Sequence, residues 1–124
     1  MIEEDYCSYE VAKLLKEKGF NWRTQYVYTL DGTGSTPPKI GNWRAKSNIQ
    51  KPTQQMAMKW LRIEHNILLF LLPAQENGKL VYLVEVWTWN EEEGIYESTY
   101  APMPRKEPEQ AVEAALKYVL TNLI

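Results

Sequence analysis

The sequence contains one cysteine and one histidine, and this scarcity limits the chemistry that the chain can perform. A single cysteine, Cys7, cannot form an intrachain disulfide, which favours a reducing, cytoplasmic setting over secretion. A zinc site needs more nitrogen and sulfur ligands than Cys7 and His65 supply. We therefore predict no metal site and no cofactor. A Cys7–His65 nucleophile–base pair is a weaker interpretation than a structural cysteine and a histidine at a helix C-terminus, because nothing in the sequence marks Cys7 as activated.

Long hydrophobic runs are also missing. The longest one, residues 67–72, is far shorter than the roughly 20 residues that a membrane-spanning helix needs. Residues 1–5 are acidic and poor in apolar side chains, unlike a signal peptide. A chain of 124 residues with 44% hydrophobic and 24% charged residues is typical of a single folded domain. We predict one domain over residues 1–124, with no membrane partner.

The net charge of −2 is small, but the charges are unevenly distributed. Residues 33–63 carry six basic side chains and no acidic one, whereas residues 85–124 carry eight acidic side chains and three basic ones. Two interpretations are open. The two segments pair with each other or are solvated, or the basic segment meets an anionic partner.

Capping signals predict three amphipathic helices. The first begins after Ser8 and ends near Gly19, the second begins after Thr53, and the third begins at Pro108. Between the first two helices, residues 26–30 are predicted as a short strand. The irregular loop that follows, at about 31–51, is long for a compact domain and is therefore functional, mobile, or the site of a hidden strand around residues 45–50.

The second half of the chain predicts a three-stranded antiparallel meander. Residues 67–72 are apolar on both faces, which is typical of a central strand, and Pro73 ends this strand or lies at its edge. The dipeptide Asn77-Gly78 is a strong hairpin signal. Residues 80–90 and 95–101 supply the other two strands. The fold class is therefore α+β, in the order α-β-α-β-β-β-α, with the meander and one additional strand packed with three helices.

Aromatic residues are abundant, with five tryptophans and eight tyrosines. Leu83, Trp87 and Trp89 alternate along the long strand and therefore share one sheet face. This face stays partly bare if the helices cover the other one, and a bare aromatic patch indicates contact with another protein or self-association. The alternative is that a helix or the long loop covers it.

Basic residues with an interleaved aromatic residue are typical of a nucleic-acid contact. The candidates are Lys39, Trp43, Arg44, Lys46, Lys51, Lys59 and Arg62. The order from Thr53 onward, one helix, three strands and one helix, matches a double-stranded-RNA-binding domain. However, the last helix begins with Glu107 and Glu109, which would repel phosphate, so we interpret the likeness as one of topology alone.

Three helical segments together carry a resemblance to a protein family. They are CSYEVAKLLKEKGF at residues 7–20, PTQQMA followed by WLR at residues 52–62, and EQAVEAAL at residues 109–116. The set resembles small uncharacterised proteins of Bacteroides-type bacteria and their prophages. The resemblance implies a cytoplasmic protein associated with a phage or mobile element, and it carries no catalytic residue with it.

The leading hypothesis is a non-enzymatic protein-binding or adaptor protein, whose partner is another protein or a second copy of the chain. The alternative is a nucleic-acid-binding protein that uses the basic 39–62 segment. No residue set forms a catalytic signature, so we do not expect an enzyme.

Overall fold

A computed structural model describes residues 4–28, 35–36, 49–100 and 103–124. The chain divides into two compact units, Met1–Ala57 and Met58–Ile124, and the boundary falls inside the second helix. The α+β class is confirmed. The prediction that residues 1–124 form one domain stays a prediction, and the two units are described separately below.

Helix α1, Tyr9–Glu17, opens the first unit. The Ser8 hydroxyl accepts a hydrogen bond from the Val11 backbone N–H at 3.2 Å, which confirms the predicted N-cap. Gly19 adopts φ +98, a left-handed conformation that glycine reaches without steric cost, and so ends the helix as predicted. Val11, Ala12 and Leu15 form the buried face of α1.

A small antiparallel sheet follows, made of β1 (Tyr26–Tyr28), β2 (Ser35–Thr36) and β3 (Ile49–Lys51) in the order β2-β1-β3. Strand β1 begins where predicted, and the hidden strand exists but lies at the end of the predicted window. Within the predicted irregular loop at about 31–51, the structure describes one further short strand, β2, which the sequence did not predict. Two- and three-residue strands carry too few positions for a periodic signal, because they are defined by pairing with β1.

Thr24 ties β1 to β3. This buried residue donates its backbone N–H to Gln50 Oε1 at 2.9 Å, and its hydroxyl accepts the Lys51 N–H at 3.1 Å. The hydroxyl carries one proton, which it can give either to the Tyr26 carbonyl or to Gln50 Oε1. The Thr24 side chain therefore links β1 and β3 in addition to their direct antiparallel pairing.

The N-terminal segment pairs with the chain that leads into helix α2, Gln54–His65. Tyr6 lies opposite Thr53 in an antiparallel bridge, and the Cys7 N–H donates to the Pro52 carbonyl at 2.9 Å. The Thr53 hydroxyl accepts the Met56 N–H at 3.1 Å, so the predicted cap of α2 is confirmed. At the other end, Asn66 takes the left-handed conformation, with φ 54, as the sequence predicted.

The second unit contains the predicted meander: β4 (Ile67–Glu76), β5 (Lys79–Asn90) and β6 (Ile95–Tyr100), in the order β4-β5-β6. Asn77 and Gly78 both have positive φ, at 53 and 76, which is the type I′ geometry that joins two strands with two residues. The turn at residues 91–94 joins β5 to β6 as predicted. A β-bulge lies opposite the step from Val86 to Trp87.

The middle strand of the predicted meander, residues 80–90, is the central strand β5. Residues 67–72 have the apolar pattern typical of a central strand, yet β4 is an edge strand. Strand β4 also continues through Pro73, which pairs with Tyr82, as far as Glu76. Apolar side chains on both faces of a strand indicate a buried, central position only when neighbouring strands and layers cover both faces.

Helix α3, Pro108–Asn122, packs against β4 and β5. Pro108 occupies its first turn as predicted, and the predicted apolar stripe is buried: Val112, Ala115, Leu116, Val119 and Leu120. On β5, Val84 and Val86 have no exposed surface and share one sheet face. That face of the sheet is therefore the covered one.

Candidate functional site

The opposite face of the β4-β5-β6 sheet carries a group of large apolar side chains. The strand register sets Leu72 beside Leu83, Phe70 beside Glu85, and Trp89 beside Tyr96, and paired residues in an antiparallel sheet point to the same side. We call this group the aromatic face. Its members are Phe70, Leu72, Leu83, Trp87, Trp89 and Tyr96.

Aromatic contacts organise this face. The rings of Phe70 and Trp87 meet edge to face with centroids 6.2 Å apart, and Trp89 meets Tyr96 in the same way at 5.0 Å. Phe70 is 45% exposed, Trp89 40% and Leu72 37%, whereas Leu83 and Trp87 are half-buried. The aromatic face is thus ordered by its own contacts but open to solvent.

One polar atom of the aromatic face has no partner. The indole Nε1 of Trp87 is buried and finds no hydrogen-bond acceptor in the described part of the chain. A buried donor without an acceptor costs about 1–3 kcal/mol. Trp87 therefore holds its place through apolar packing, which offsets this cost.

Leu83, Trp87 and Trp89 were predicted from sequence to share a face, and the register places them together with Phe70, Leu72 and Tyr96, which sequence reasoning missed. A signal for two of the missed residues was available. A two-residue turn at Asn77-Gly78 fixes the register of the whole hairpin, so that Leu72 must lie opposite Leu83 and Phe70 opposite Glu85.

A second aromatic group lies in the first unit, and sequence reasoning missed it as well. The Lys51 ammonium lies 4.6 Å from the ring centroid of Tyr6, 5.3 Å from that of Tyr28 and 5.9 Å from that of Tyr26. Tyr9 packs edge to face on Tyr28, whose hydroxyl donates to the Cys7 carbonyl at 2.6 Å. We call these four tyrosines and Lys51 the tyrosine cluster.

The tyrosine cluster changes the interpretation of one predicted nucleic-acid contact. The Lys51 cation is engaged by three rings of its own chain, an attraction between positive charge and the faces of π systems. Lys59 and Arg62 are exposed on α2. The other candidates, Lys39, Trp43, Arg44 and Lys46, lie outside the described residues. Nucleic-acid binding therefore stays a prediction from the sequence.

Cys7 and His65 each make contacts that are typical of residues with a structural role. Cys7 is fully buried, with its thiol 3.8 Å from the Thr53 carbonyl oxygen. His65 is the last residue of α2, and its ring meets that of Trp60 with centroids 4.9 Å apart. Among the residues that the structure describes, no group of three or more His, Cys, Asp or Glu side chains is placed to hold a metal ion.

Comparison of the chain with protein-family models, with curated proteins and with solved structures finds no match. A proposal for function therefore depends on the geometry of the protein's own residues. Within the described ranges, no helix combines the length and the apolar character that crossing a membrane requires.

Proposed function

We propose that this protein is a non-enzymatic protein-binding or adaptor protein, and that the aromatic face is its contact surface. The observation that carries the proposal is the joint exposure of Phe70, Leu72 and Trp89 on one sheet face, each more than a third open to solvent. Scattered apolar residues are ordinary on a protein surface, whereas adjacent large ones mark a contact site.

The composition of the aromatic face suits protein binding. Tryptophan and tyrosine are enriched among the residues that dominate binding energy, because each buries a large area with few rotatable bonds. The ring contact between Trp89 and Tyr96 orders both side chains before a partner arrives, so less conformational entropy is lost on binding.

Glu85 places a charged side chain within the aromatic face. This half-buried carboxylate is paired with Phe70 across the strands and lies between Leu83 and Trp87 on the same side of β5. A charge that becomes desolvated in an interface must be matched by a donor or a cation. We therefore expect a partner whose contact surface is apolar and presents a basic or hydrogen-bond-donating group near its centre.

The sequence resemblance to small proteins of Bacteroides-type bacteria and their prophages supports a role in a phage or mobile element. In that setting, the partner would be a protein encoded by the same element or by its host. This part of the proposal depends on the resemblance, and the aromatic face supports protein binding independently of it.

Affinity capture with matched variants tests the proposal. Wild-type protein and the variant Phe70→Ser/Trp89→Ser are immobilised and exposed to a lysate of the encoding organism, and a protein retained by the wild type is then purified. Calorimetric titration should show at least a tenfold loss of affinity in the variant, since truncating a dominant aromatic contact costs about 2 kcal/mol or more.

Met103→Ser is the matched control. Met103 is 76% exposed and lies outside the aromatic face, so its truncation removes exposed apolar surface without touching the proposed contact. Its affinity should equal that of the wild type. Equal affinity in the wild type and in Phe70→Ser/Trp89→Ser would contradict the proposal, and so would a failure of the wild type to retain any protein.

A further inference from the structure

Strand β4 has backbone groups that point away from its neighbour. Glu76 and Lys79 flank the two-residue turn and therefore form a pair that exchanges both backbone hydrogen bonds with each other. In an antiparallel ladder such pairs alternate with pairs that do not hydrogen-bond. Counting back along β4, Leu69, Leu71, Pro73 and Gln75 direct their N–H and C=O groups away from β5.

The position of Pro73 agrees with this assignment. Proline lacks an N–H and is tolerated in a sheet where that group would face away from the ladder, on an edge strand. Pro73 pairs with Tyr82 at one of the outward-directed positions. The β4–β5 ladder therefore continues through the proline without losing a hydrogen bond.

The two edges of the sheet differ. On the β6 side, the returning chain continues the pairing beyond the bulge, because Tyr82 and Arg105 exchange backbone hydrogen bonds at 2.7 Å in both directions. On the β4 side, the described residues supply no further strand. The open edge of this sheet in the described chain is therefore the outer side of β4.

The open edge is also apolar and uncharged. From Ile67 to Gln75 the strand has no ionisable side chain, and the consecutive residues Phe70, Leu71 and Leu72 are 45%, 44% and 37% exposed. Natural edge strands usually carry a lysine, a bulge or an inward charge that prevents pairing with another chain. Strand β4 has none of these between Ile67 and Gln75, and its one protective feature is Pro73.

We propose that two copies of this chain pair through β4, antiparallel and about a two-fold axis at Leu71, to form a continuous six-stranded sheet. Leu71 is the outward-directed residue at the centre of the exposed run. With the axis there, Phe70 lies beside Leu72 of the second copy on the side of the aromatic face, and Leu69 lies opposite Pro73, which contributes its carbonyl as an acceptor.

Charge supports a second copy as the occupant. In this register Glu76, the nearest ionisable residue at the turn end of β4, falls opposite Asn66 of the second copy rather than opposite another carboxylate. Cross-strand pairs of like charge are therefore absent from the paired β4 segments, and from Leu68 to Ala74 each apolar side chain meets another. From Ile67 to Gln75 the strand is neutral, so it meets no charge of its own sign when it pairs with itself under two-fold symmetry.

The pairing adds to the proposed function without depending on it. A two-fold axis perpendicular to the sheet leaves both aromatic faces on the same side, joined through Phe70 and Leu72. The dimer would thus present two contact surfaces to a partner.

Light scattering coupled to size exclusion, over about a hundredfold range of protein concentration, tests the pairing by mass action. The wild type should shift from monomer to dimer. In Leu71→Pro the substitution removes an N–H that points away from β5, as Pro73 already does, so the fold should persist while the dimer is lost. Leu71→Ala keeps that N–H and should weaken the dimer less.

A charged variant keeps the pairing testable if Leu71→Pro fails to fold. Leu71→Lys places two ammonium groups next to each other at the axis and should also be monomeric, with a circular dichroism spectrum like that of the wild type. In Leu71→Cys the two sulfurs meet at the axis, where paired Cα atoms lie about 5.5 Å apart, and a disulfide-linked dimer should form. Gln75→Cys, away from the axis, should not form one.

A wild type that stays monomeric at every concentration would overturn the pairing, and so would a dimer that persists in both Leu71→Pro and Leu71→Lys. Phe70→Ser/Trp89→Ser has an intact β4 backbone and should weaken the dimer far less than Leu71→Pro does. A monomeric wild type that retains a partner protein contradicts the pairing alone, and a dimeric wild type that retains none contradicts the proposed function alone.

Discussion

The tyrosine cluster of the first unit and the aromatic face of the second are built from the same kinds of side chains but are organised differently. In the tyrosine cluster, three rings surround the Lys51 ammonium and the Tyr28 hydroxyl donates to a backbone carbonyl. On the aromatic face, Phe70 and Trp89 are exposed, and the Trp87 N–H finds no acceptor in the part of the chain that the structure describes. Aromatic content alone therefore does not indicate a binding surface. The contacts of each ring decide whether it stabilises the fold or remains available to a partner.

The largest expected effect concerns the hydrogen bonds that position the strands of the tyrosine cluster. Thr24→Val keeps the shape of the side chain but removes the acceptor of the part-buried Lys51 N–H, so the free energy of unfolding should fall by about 1–3 kcal/mol. Urea unfolding followed by fluorescence measures this. Thr24→Ser keeps the hydroxyl and should lose less stability, and equal losses in the two variants would show that the hydroxyl has no special role.

A smaller effect is expected from the cation itself. Lys51→Met retains most of the apolar stem but removes the charge from the three rings, which should lower the free energy of unfolding by about 1 kcal/mol. Urea unfolding at low and high salt measures it. Lys51→Arg keeps a cation that stacks on aromatic rings and serves as the control. If Lys51→Met is as stable as the wild type, the tyrosine cluster gains nothing from its cation, and the contrast with the aromatic face disappears.

The smallest effect, with the opposite sign, is expected on the aromatic face. Trp87→Phe removes the unpaired buried N–H while keeping an aromatic ring against Phe70, so the loss of packing and the relief of the desolvation cost nearly cancel. The melting temperature should stay constant or rise by a few degrees, as differential scanning calorimetry would show. A drop comparable to that of Thr24→Val would mean that the indole N–H does have an acceptor in solution.

Much of the fold could be predicted from the sequence because its signals are local. Ser8, Thr53 and Pro108 begin their helices and Gly19 and Asn66 end theirs, since each residue type relieves a problem that arises within one helical turn. The Asn77-Gly78 turn follows from the ease with which both residues adopt positive φ. The predicted helical stripe of α3 is buried for the same reason: its period is a property of the helix alone.

The candidate site was less predictable. Alternation along β5 placed Leu83, Trp87 and Trp89 on one face, but their neighbours Phe70 and Tyr96 come from other strands. How open the face is depends on which elements cover the sheet, and no local pattern contains that information. The short strands β2 and β3 were hard to predict because pairing with β1, rather than their own composition, makes them strands.

The sequence by itself determined where helices and turns begin and end, the α+β class, and the alternation that puts aromatic side chains on one side of β5. Tertiary structure decided that β4 lies at the edge of its sheet despite its apolar faces, that Lys51 lies among three tyrosines, and that the Trp87 N–H meets no acceptor among the described residues. The physical reason is the separation along the chain of the residues that interact. Caps, turns and periodicity arise from interactions within a few residues, whereas edge position, ring contacts and burial depend on residues that are distant in the chain and meet only when it folds.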